Sequence, residues 1–188
     1  MTNFILQDKI KDLRICDELI KYHKNSEFKF NGLASGNVDK NIKLSTDVQI
    51  NVTNINDNII QQYLKELQIV CNNYIKKYEY ANYYNSWGIS EAFNIQHYKP
   101  NEGYFAWHTE RGSNIFPYNN RHLVFMTYLN DVNDGGETEF YHQKLKIKAE
   151  KGKTVIFPAD WTHTHRGITS PTENKYIITG WYNFVDGN

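Results

Sequence analysis

The chain has 188 residues, of which 40% are hydrophobic and 15% aromatic, and this composition excludes an intrinsically disordered protein. Its length predicts one domain that buries a substantial core. The 21 basic and 21 acidic residues balance, so the overall charge predicts neither capture of nucleic acid nor binding to an acidic membrane surface, and nucleic acid is the weaker candidate partner.

The first part of the chain predicts two amphipathic helices. Apolar residues recur at helical spacing from Leu6 to Ile20, and a second apolar stripe runs from about Asn56 to Tyr78. Such stripes usually pack against a sheet. The polar segment between them, Phe28 to Ile55, is predicted to be a loop with one short strand near Asp47 to Val52.

From about Ala92 onward the pattern changes to short strands. Phe93 to Tyr98 alternates, and His122 to Leu129 is a nearly continuous apolar run, typical of a central strand. Turn signals separate the strands. Further strands are predicted at Glu137 to Tyr141, Leu145 to Ala149, Thr154 to Phe157 and Tyr176 to Phe184.

The sequence predicts a single cytoplasmic domain over residues 1–188. We expect it to be mainly β with supporting α-helices: a small β-sandwich or barrel over about 81–188 and helical support over about 1–80. Cys16 and Cys71 lie far apart and are expected to be buried free thiols, which fits a reducing cytoplasm. The N-terminus resembles neither a signal peptide nor a membrane anchor.

His108 and Glu110 form an H-x-E motif, and a His-Thr-His sequence at residues 163–165 follows downstream. Residues two apart in a strand point to the same face, so His108 and Glu110 could ligate one metal. The third ligand is His163 or His165, and the ten-residue spacing to Lys175 favours His165. Two imidazoles and one carboxylate leave the opposite face of a metal open, as in non-haem Fe(II) oxygenases. An isolated H-x-E also occurs at ordinary exposed strand ends, so the downstream residues carry the prediction.

Lys175 opens an otherwise buried strand, and a cation at this spacing suits the far carboxylate of a dicarboxylic co-substrate. Tyr128 ends the predicted central strand and could donate a hydrogen bond to the same carboxylate. Tyr98 could form a hydrogen bond nearer the metal. Both tyrosines are equally compatible with core aromatics whose hydroxyls are satisfied elsewhere.

The segment from Thr109 to Arg121 follows the H-x-E motif directly and lacks a strand pattern. It contains Gly112 and Pro117, which favour a loop. Because it begins at the predicted metal ligands, we expect a mobile loop that closes over the site.

These motifs resemble the Fe(II)/2-oxoglutarate-dependent dioxygenase superfamily, and within it the prolyl 4-hydroxylase-like branch. The resemblance covers roughly the C-terminal half, and the order and spacing of the motifs are more specific than any one of them. The segments that carry it are Tyr98 to Tyr104, His108 to Glu110, Tyr128 to Asp131, Gly135 to Phe140, Gly152 to Pro158, and His165 through Lys175 to Trp181. The family's usual motif is H-x-D, so Glu110 is a departure that moves the carboxylate outward by about one bond.

The resemblance implies a double-stranded β-helix, the cupin-like jelly roll. It implies iron bound by three ligands, with 2-oxoglutarate held by a lysine and a tyrosine and flanked by a second tyrosine. In this chain those residues are His108, Glu110 and His165 for iron, Lys175 and Tyr128 for the distal carboxylate, and Tyr98 beside the co-substrate. It further implies a tight turn at Gly135–Gly136 and a place for Trp181 at the pocket.

The implied activity is hydroxylation of a C–H bond with Fe(II), 2-oxoglutarate and O₂, releasing succinate and CO₂, with ascorbate as a supporting reductant. The resemblance favours a peptidyl proline in a flexible peptide or protein segment as substrate. Hydroxylation of another side chain, a free amino acid or a small-molecule metabolite is the alternative within enzymes. A non-catalytic jelly-roll protein that binds a metal or small acid, and a zinc hydrolase, are alternatives from other classes.

Overall fold

The structure is a computed structural model that describes residues 2–34, 36–52 and 55–185. This part of the chain contains the helices α1 (Arg14–Asn25) and α2 (Asn58–Lys77). Its thirteen strands are β1 (Leu6–Lys9), β2 (Phe30–Asn31), β3 (Lys43–Leu44), β4 (Thr46–Ile50), β5 (Trp87–Gly88), β6 (Phe93–Tyr98), β7 (Gly103–Tyr104), β8 (Arg121–Tyr128), β9 (Thr138–Phe140), β10 (Leu145–Ile147), β11 (Lys153–Pro158), β12 (His165–Gly167) and β13 (Lys175–Phe184). Ser35, Thr53 and Asn54 of the predicted polar loop, and Met1 and residues 186–188 of the predicted domain, lie outside the described residues.

Two facing antiparallel sheets form the body of the protein. The larger sheet has the order β1-β11-β8-β13-β6-β4-β2, with β5 paired to β13, and the smaller sheet has the order β10-β9-β12. Val124 and Val155 of the larger sheet pack with Phe140 and Ile147 of the smaller one. The predicted fold, mainly β with supporting helices around a jelly-roll core, is confirmed.

Alternation along the central strands separates two cores. On β8, Leu123 and Phe125 belong to the core beneath the helices, whereas Val124 and Met126 belong to the core between the sheets. Successive residues of a strand point to opposite faces, so one strand supplies both cores. Both faces of β8 are therefore buried, which accounts for its nearly continuous apolar sequence.

Helix α2 covers the outer face of the larger sheet. Its N-terminus is capped by Asp57, whose Oδ1 accepts a hydrogen bond from the Ile59 N–H at 2.9 Å. Burial of one large apolar side chain stabilises a fold by roughly 1.5–3 kcal/mol, and this helix buries six residues along one face. They are Ile60, Tyr63, Leu67, Val70, Cys71 and Tyr74. The helix predicted over about Asn56 to Tyr78 is thus confirmed.

The predicted first helix is wrong at its N-terminal end. Leu6–Lys9 form a strand, β1, that pairs antiparallel with β11, and α1 begins only at Arg14. Leu6 and Ile10 are buried as predicted, but in a strand and the link that follows it. Strand β1 pairs along one edge of β11, whose N–H and C=O groups on that side would otherwise be unpaired at an exposed sheet edge.

The polar segment before α2 contains more structure than predicted. The expected short strand is present as β4, and β2 and β3 also form there. Because β4 pairs with β6 over five residues, it places Asp47 and Gln49 beside the strand that ends at Tyr98. Cys16 and Cys71 are buried free thiols, as predicted. Among the described residues, no helix has both the length and the apolar character needed to cross a bilayer.

Candidate active site

A cavity of about 390 Å³ opens between the two sheets, a size typical of small-molecule sites. Its wall on the larger sheet comes from β4, β6 and β13. Its opposite wall includes Thr138 of β9 and the residues of β12. The sequence-predicted site residues that line this cavity are Tyr98, His108, Glu110, His165 and Lys175.

Three possible metal-ligand atoms meet in the cavity. Glu110 Oε1 lies 3.5 Å from His108 Nε2 and 3.5 Å from His165 Nε2, and all three donor atoms lie within 4.8 Å of one another. His165 belongs to β12, and His108 joins it through an isolated antiparallel bridge. The N–H of each residue donates to the C=O of the other, at 3.0 and 2.9 Å. The main chain therefore brings together two histidines that are 57 positions apart in the sequence.

Each imidazole is oriented with its Nε2 toward the cavity. His108 Nδ1 lies 3.0 Å from the Ala106 carbonyl oxygen, and His165 Nδ1 lies 3.0 Å from the His163 carbonyl oxygen. A carbonyl oxygen only accepts, so both Nδ1 atoms carry a proton and Nε2 is the atom of each ring that is left for a metal. The Tyr104 ring stacks on His108 with centroids 3.6 Å apart, which holds that ring in place.

The protonation states of the cluster favour metal binding. Burial raises the pKa of the Glu110 carboxyl, but hydrogen bonds and charge at His108 and His165 outweigh that effect and hold its pKa well below the usual value. Burial and the neighbouring His165 lower the pKa of His108. At neutral pH the carboxylate is ionised and the His108 imidazole is neutral, the states in which both groups coordinate metals.

The donor set fits iron. Two imidazole nitrogens and one carboxylate oxygen within 4.8 Å of one another are the ligand set used by Fe(II) oxygenases. The longer side chain of Glu110 does not prevent this arrangement, because its Oε1 is equidistant from both histidines. Its other oxygen, Oε2, accepts a hydrogen bond from Trp181 Nε1 at 2.9 Å. Trp181 thus lies at the pocket, where the resemblance places it.

His163, the alternative third ligand, lies away from this cluster. Its Nε2 donates to the Asn3 carbonyl oxygen at 2.9 Å, and its Nδ1 accepts from the Thr162 hydroxyl at 3.0 Å. Both ring nitrogens are engaged, and the residue does not line the cavity. The geometry brings His165, not His163, to the other two donors.

Lys175 is a buried cation without a counter-ion. It is 5% exposed and lies directly opposite Tyr98 in the pairing of β13 with β6. Its ammonium donates to the Gly136 carbonyl oxygen at 3.2 Å, and it forms no ion pair among the described residues. Burial lowers the pKa of Lys175 to about 8, against a smaller opposing effect of the Glu137 charge. A buried charge of this kind is costly unless an anion joins it, so the site suits a carboxylate.

The two predicted tyrosines occupy different places. Tyr98 lines the cavity, with its ring centroid 5.0 Å from the Lys175 ammonium and its hydroxyl donating to Gln96 Oε1 at 2.6 Å. Tyr128 is fully buried behind the cavity wall, and its hydroxyl donates to Thr138 Oγ1 at 2.7 Å. Thr138 is the residue that lines the cavity there. Direct contact between Tyr128 and a co-substrate stays a prediction that requires this hydroxyl to change partner.

The sequence of residues 93–183 matches the family model described as the 2OG-Fe(II) oxygenase superfamily. The matched stretch, 91 of the 188 residues, has the sequence pattern of that superfamily. The match identifies a dioxygenase that depends on Fe(II) and 2-oxoglutarate, and that superfamily uses Fe(II) as cofactor and 2-oxoglutarate and O₂ as co-substrates. No curated protein sequence matches the oxygenase significantly.

Solved structures with the same fold cover nearly the whole oxygenase. The viral collagen prolyl hydroxylase of Paramecium bursaria Chlorella virus-1, in its 2OG complex, is 18% identical with a TM-score of 0.71 and covers 97% of each chain. A prolyl-4-hydroxylase of Pseudomonas putida is 15% identical with a TM-score of 0.72, covering 98% of this chain and 95% of its own. A prolyl hydroxylase of Trichoplax adhaerens, in complex with a hypoxia inducible factor oxygen degradation domain peptide fragment, is 19% identical with a TM-score of 0.74. The match covers 97% of this chain and 84% of the Trichoplax chain. At these identities the likeness establishes the fold.

The predicted turn at Gly135–Gly136 positions the Lys175 contact. Both glycines have positive φ, 78° and 79°, a region that favours glycine. The turn directs the Gly136 carbonyl oxygen at the Lys175 ammonium. A side chain at Gly135 would also clash with the carbonyl oxygen of Thr169.

Gly135→Ala is expected to lower the free energy of unfolding of the oxygenase by about 2–3 kcal/mol, because alanine would be strained at this φ and would displace the Thr169 backbone. Urea unfolding at equilibrium measures the change. Gly88→Ala is the matched control, since no atom lies within 4 Å of a Cβ at Gly88 and its φ is not positive. An equal loss in the two variants would contradict the role assigned to the turn.

The Thr109–Arg121 loop contributes Pro117 and Tyr118 to the cavity wall. Near its start, Arg111 forms a two-pronged ion pair with Asp160, at 2.9 and 2.6 Å. Its last residue, Arg121, is 5% exposed and begins β8. The loop is thus attached at both ends, and closure over a substrate stays a prediction.

The sequence did not predict two charged residues beside the cluster. Arg121 donates from Nη1 to Glu110 Oε2 at 3.3 Å, and Glu91 accepts two hydrogen bonds from Nε and Nη2 of the same guanidinium. The only signal for Arg121 is its place directly before the buried apolar run of β8. Glu91 precedes β6 in a segment without a motif.

Proposed function

We propose that this oxygenase hydroxylates a peptidyl proline, with conversion of 2-oxoglutarate and O₂ to succinate and CO₂. One observation carries the proposal: a 2-His-1-carboxylate cluster and a buried, unpaired lysine line the same cavity. The cluster suits iron, and the lysine suits the far carboxylate of 2-oxoglutarate. We assign these roles within one domain spanning residues 1–188.

His108, Glu110 and His165 would hold the iron through Nε2, Oε1 and Nε2. Bound there, Fe(II) with 2-oxoglutarate and O₂ supplies the oxidising power for attack on a C–H bond, with ascorbate as a supporting reductant. The carbonyl groups of Ala106 and His163 keep both imidazoles in the tautomer that coordinates. The protein therefore contributes orientation, since no side chain has to give or take a proton at the substrate.

Lys175 would bind the distal carboxylate of 2-oxoglutarate. Its ammonium is close to Tyr98, whose ring and hydroxyl would flank the co-substrate nearer the metal. Tyr128 would reach the same carboxylate if its hydroxyl left Thr138. Burial of the lysine excludes water from the pair, which strengthens the attraction between the two charges.

Support for a prolyl substrate comes from the cavity wall and from the structural relatives. The rings of Tyr104, Tyr118 and Trp181 line the cavity, and aromatic faces suit the apolar ring of proline. The structural relatives include prolyl hydroxylases, and one of them is bound to a peptide. A proline in a flexible segment of another protein would reach the cavity from solvent. If the oxygenase is cytoplasmic, as predicted, its protein substrates would be cytoplasmic as well.

A second candidate substrate is a free amino acid or another small polar metabolite. The cavity wall opposite the small sheet carries the paired residues Asp47 and Gln96, and Gln49 and Asn94. Asn94 Oδ1 is buried and has no hydrogen-bond partner among the described residues. Such an atom favours a ligand that donates a hydrogen bond, which a proline ring carbon does not.

Succinate formation tests the proposal directly. The protein is loaded with Fe(II) and incubated with 2-oxoglutarate and O₂, together with a proline-containing peptide, the same peptide with alanine for proline, or a mixture of free amino acids. We expect stimulation by the proline peptide alone, with one oxygen atom added at that proline by mass spectrometry. His165→Ala is the inactive control.

Other outcomes select the alternatives. Stimulation by free amino acids but not by peptide would select the polar metabolite. Iron binding without succinate in any arm would indicate a binding protein. Product formation that continues without O₂ would indicate hydrolysis.

A further inference from the structure

The two oxygens of Glu110 have different partners. Oε1 faces the two histidines at 3.5 Å each. Oε2 points the other way, where it accepts from Trp181 Nε1 at 2.9 Å and from Arg121 Nη1 at 3.3 Å. The carboxylate thus offers one oxygen to a metal, while the second is engaged by the protein.

Arg121 is itself held in a fixed position. Its Nε and Nη2 donate to the two oxygens of Glu91 at 2.8 and 2.9 Å, and its Nη1 also donates to the main-chain oxygen of Glu110 at 3.1 Å. The guanidinium lies 3.5 Å from the centroid of the Trp181 ring. Asn183 donates to Glu91 at 3.1 Å and so fixes that carboxylate in turn. The guanidinium cannot follow Glu110 if the carboxylate moves.

The charges of this group are also arranged in favour of the metal. Glu91 pairs with Arg121 through two hydrogen bonds, which is the strongest geometry for a guanidinium and a carboxylate. That pair is neutral as a whole, so Arg121 does not cancel the charge of Glu110. The negative charge of Glu110 remains available to a cation at Oε1.

A glutamate needs such support more than an aspartate. Its additional side-chain torsion allows the carboxylate to rotate and to bring both oxygens to one metal. Two-oxygen coordination would occupy a position that co-substrate or O₂ requires. The hydrogen bonds to Oε2 oppose that rotation.

We propose that Arg121, seated by Glu91, is a positioning residue that restricts Glu110 to coordination through Oε1 and so keeps a coordination position open. The inference rests on the proposed assignment of His108, Glu110 and His165 as iron ligands. It extends that assignment to two residues of the cavity wall that are not themselves proposed metal ligands.

The test uses Co(II) in place of iron, because the intensity of its visible absorption falls as its coordination number rises. Arg121→Met is expected to weaken Co(II) binding about 10- to 100-fold, the usual effect of losing a partner of a metal ligand, and to lower the visible absorption of the saturated protein. Arg111→Met is the matched control, since the Arg111 guanidinium forms a two-pronged ion pair in the same loop, but with Asp160 and not with the Glu110 carboxylate. It is expected to leave affinity and spectrum unchanged.

Glu91→Gln separates charge from packing. The amide has nearly the same shape, but its NH₂ group cannot accept, so one of the two hydrogen bonds from Arg121 is lost and the guanidinium charge is then balanced by Glu110. We expect weaker Co(II) binding, by a smaller factor than in Arg121→Met, in a protein that still unfolds cooperatively. Asp160→Asn, which removes the equivalent charge beside Arg111, is the control. This variant carries the test if Arg121→Met does not fold.

The two levels of the proposal fail differently. If the His165→Ala variant binds Co(II) as well as the wild-type protein does, the assignment of the metal site is wrong. If His165→Ala abolishes binding but Arg121→Met and Glu91→Gln match wild type in affinity and spectrum, the metal site stands and the positioning role is overturned.

Discussion

His165→Ala is expected to weaken Fe(II) binding by more than about 100-fold, beyond the range seen when only a partner of a metal ligand is lost, and to abolish succinate formation. His165 supplies one of three donor atoms that lie within 4.8 Å of one another. With two donors left, the metal is held by a single histidine and a carboxylate. Anaerobic calorimetric titration with Fe(II) measures the affinity, and His108→Ala should behave in the same way.

His163→Gln is the matched control for this prediction. His163 is two residues away and just as buried, but both of its ring nitrogens are engaged by Asn3 and Thr162. We expect reduced stability and retained iron binding. Loss of iron in His163→Gln together with retention in His165→Ala would show that the other histidine of the His-Thr-His sequence is the ligand.

Lys175→Met is expected to produce two opposite effects: affinity for 2-oxoglutarate falls about 100-fold or more, and the ligand-free protein becomes more stable. The loss of affinity follows from removing a buried cavity cation that has no ion-pair partner among the described residues, as leaving a buried charge unpaired costs roughly 3–5 kcal/mol. Calorimetric titration with 2-oxoglutarate measures it. Unchanged affinity would place the co-substrate elsewhere.

The gain in stability follows from the pKa of Lys175, which burial lowers from 10.5 to about 8. The unfolded chain therefore binds this proton more tightly than the folded one. The charged lysine costs the folded state about 3 kcal/mol below pH 8, and that cost declines as the pH rises from about 8 to 10.5. Urea unfolding at pH 7 should show a free energy of unfolding that is higher in Lys175→Met than in the wild-type protein, by at most this amount.

The same pKa predicts the pH dependence of binding. The ammonium must be charged to hold a carboxylate, so affinity of the wild-type protein for 2-oxoglutarate should fall up to about ten-fold per pH unit above about pH 8. Lys175→Arg keeps its charge throughout this range and should show a flat profile. A flat profile in the wild-type protein would argue that Lys175 does not contact the co-substrate.

Much of the fold could be predicted because its strands are locally marked. The apolar run of β8 and the alternation of β6 appear in the sequence as they do in the sheet. Leu6–Lys9 could not be assigned this way, because four residues with one apolar side chain fit a helix and a strand equally. The edge of β11 decides, since it provides hydrogen-bond partners that only the folded sheet has.

The candidate site could be predicted from the sequence where the spacing of residues along the chain indicates which side chains lie together. His108 and Glu110 are two residues apart and reach the same cavity, although neither lies in a strand. The ten-residue spacing between His165 and Lys175 is what favoured His165 over His163. Arg121 has no such marker. Its role depends on Glu91 and Trp181, which come from different strands or loops and meet it only in three dimensions.

The reciprocal main-chain hydrogen bonds between His108 and His165 bear on how iron binding and folding are related. They join two of the proposed ligands through the backbone, with ring centroids 4.3 Å apart. In zinc fingers the metal drives folding, and the apo chain is unstructured. Here the main chain itself brings the two histidines together, so we expect the fold to form without the metal and iron to bind to the folded protein. Iron supply would then regulate how many molecules are active while leaving the number of folded molecules unchanged, and a cell could silence and restore the same pool of protein without new synthesis.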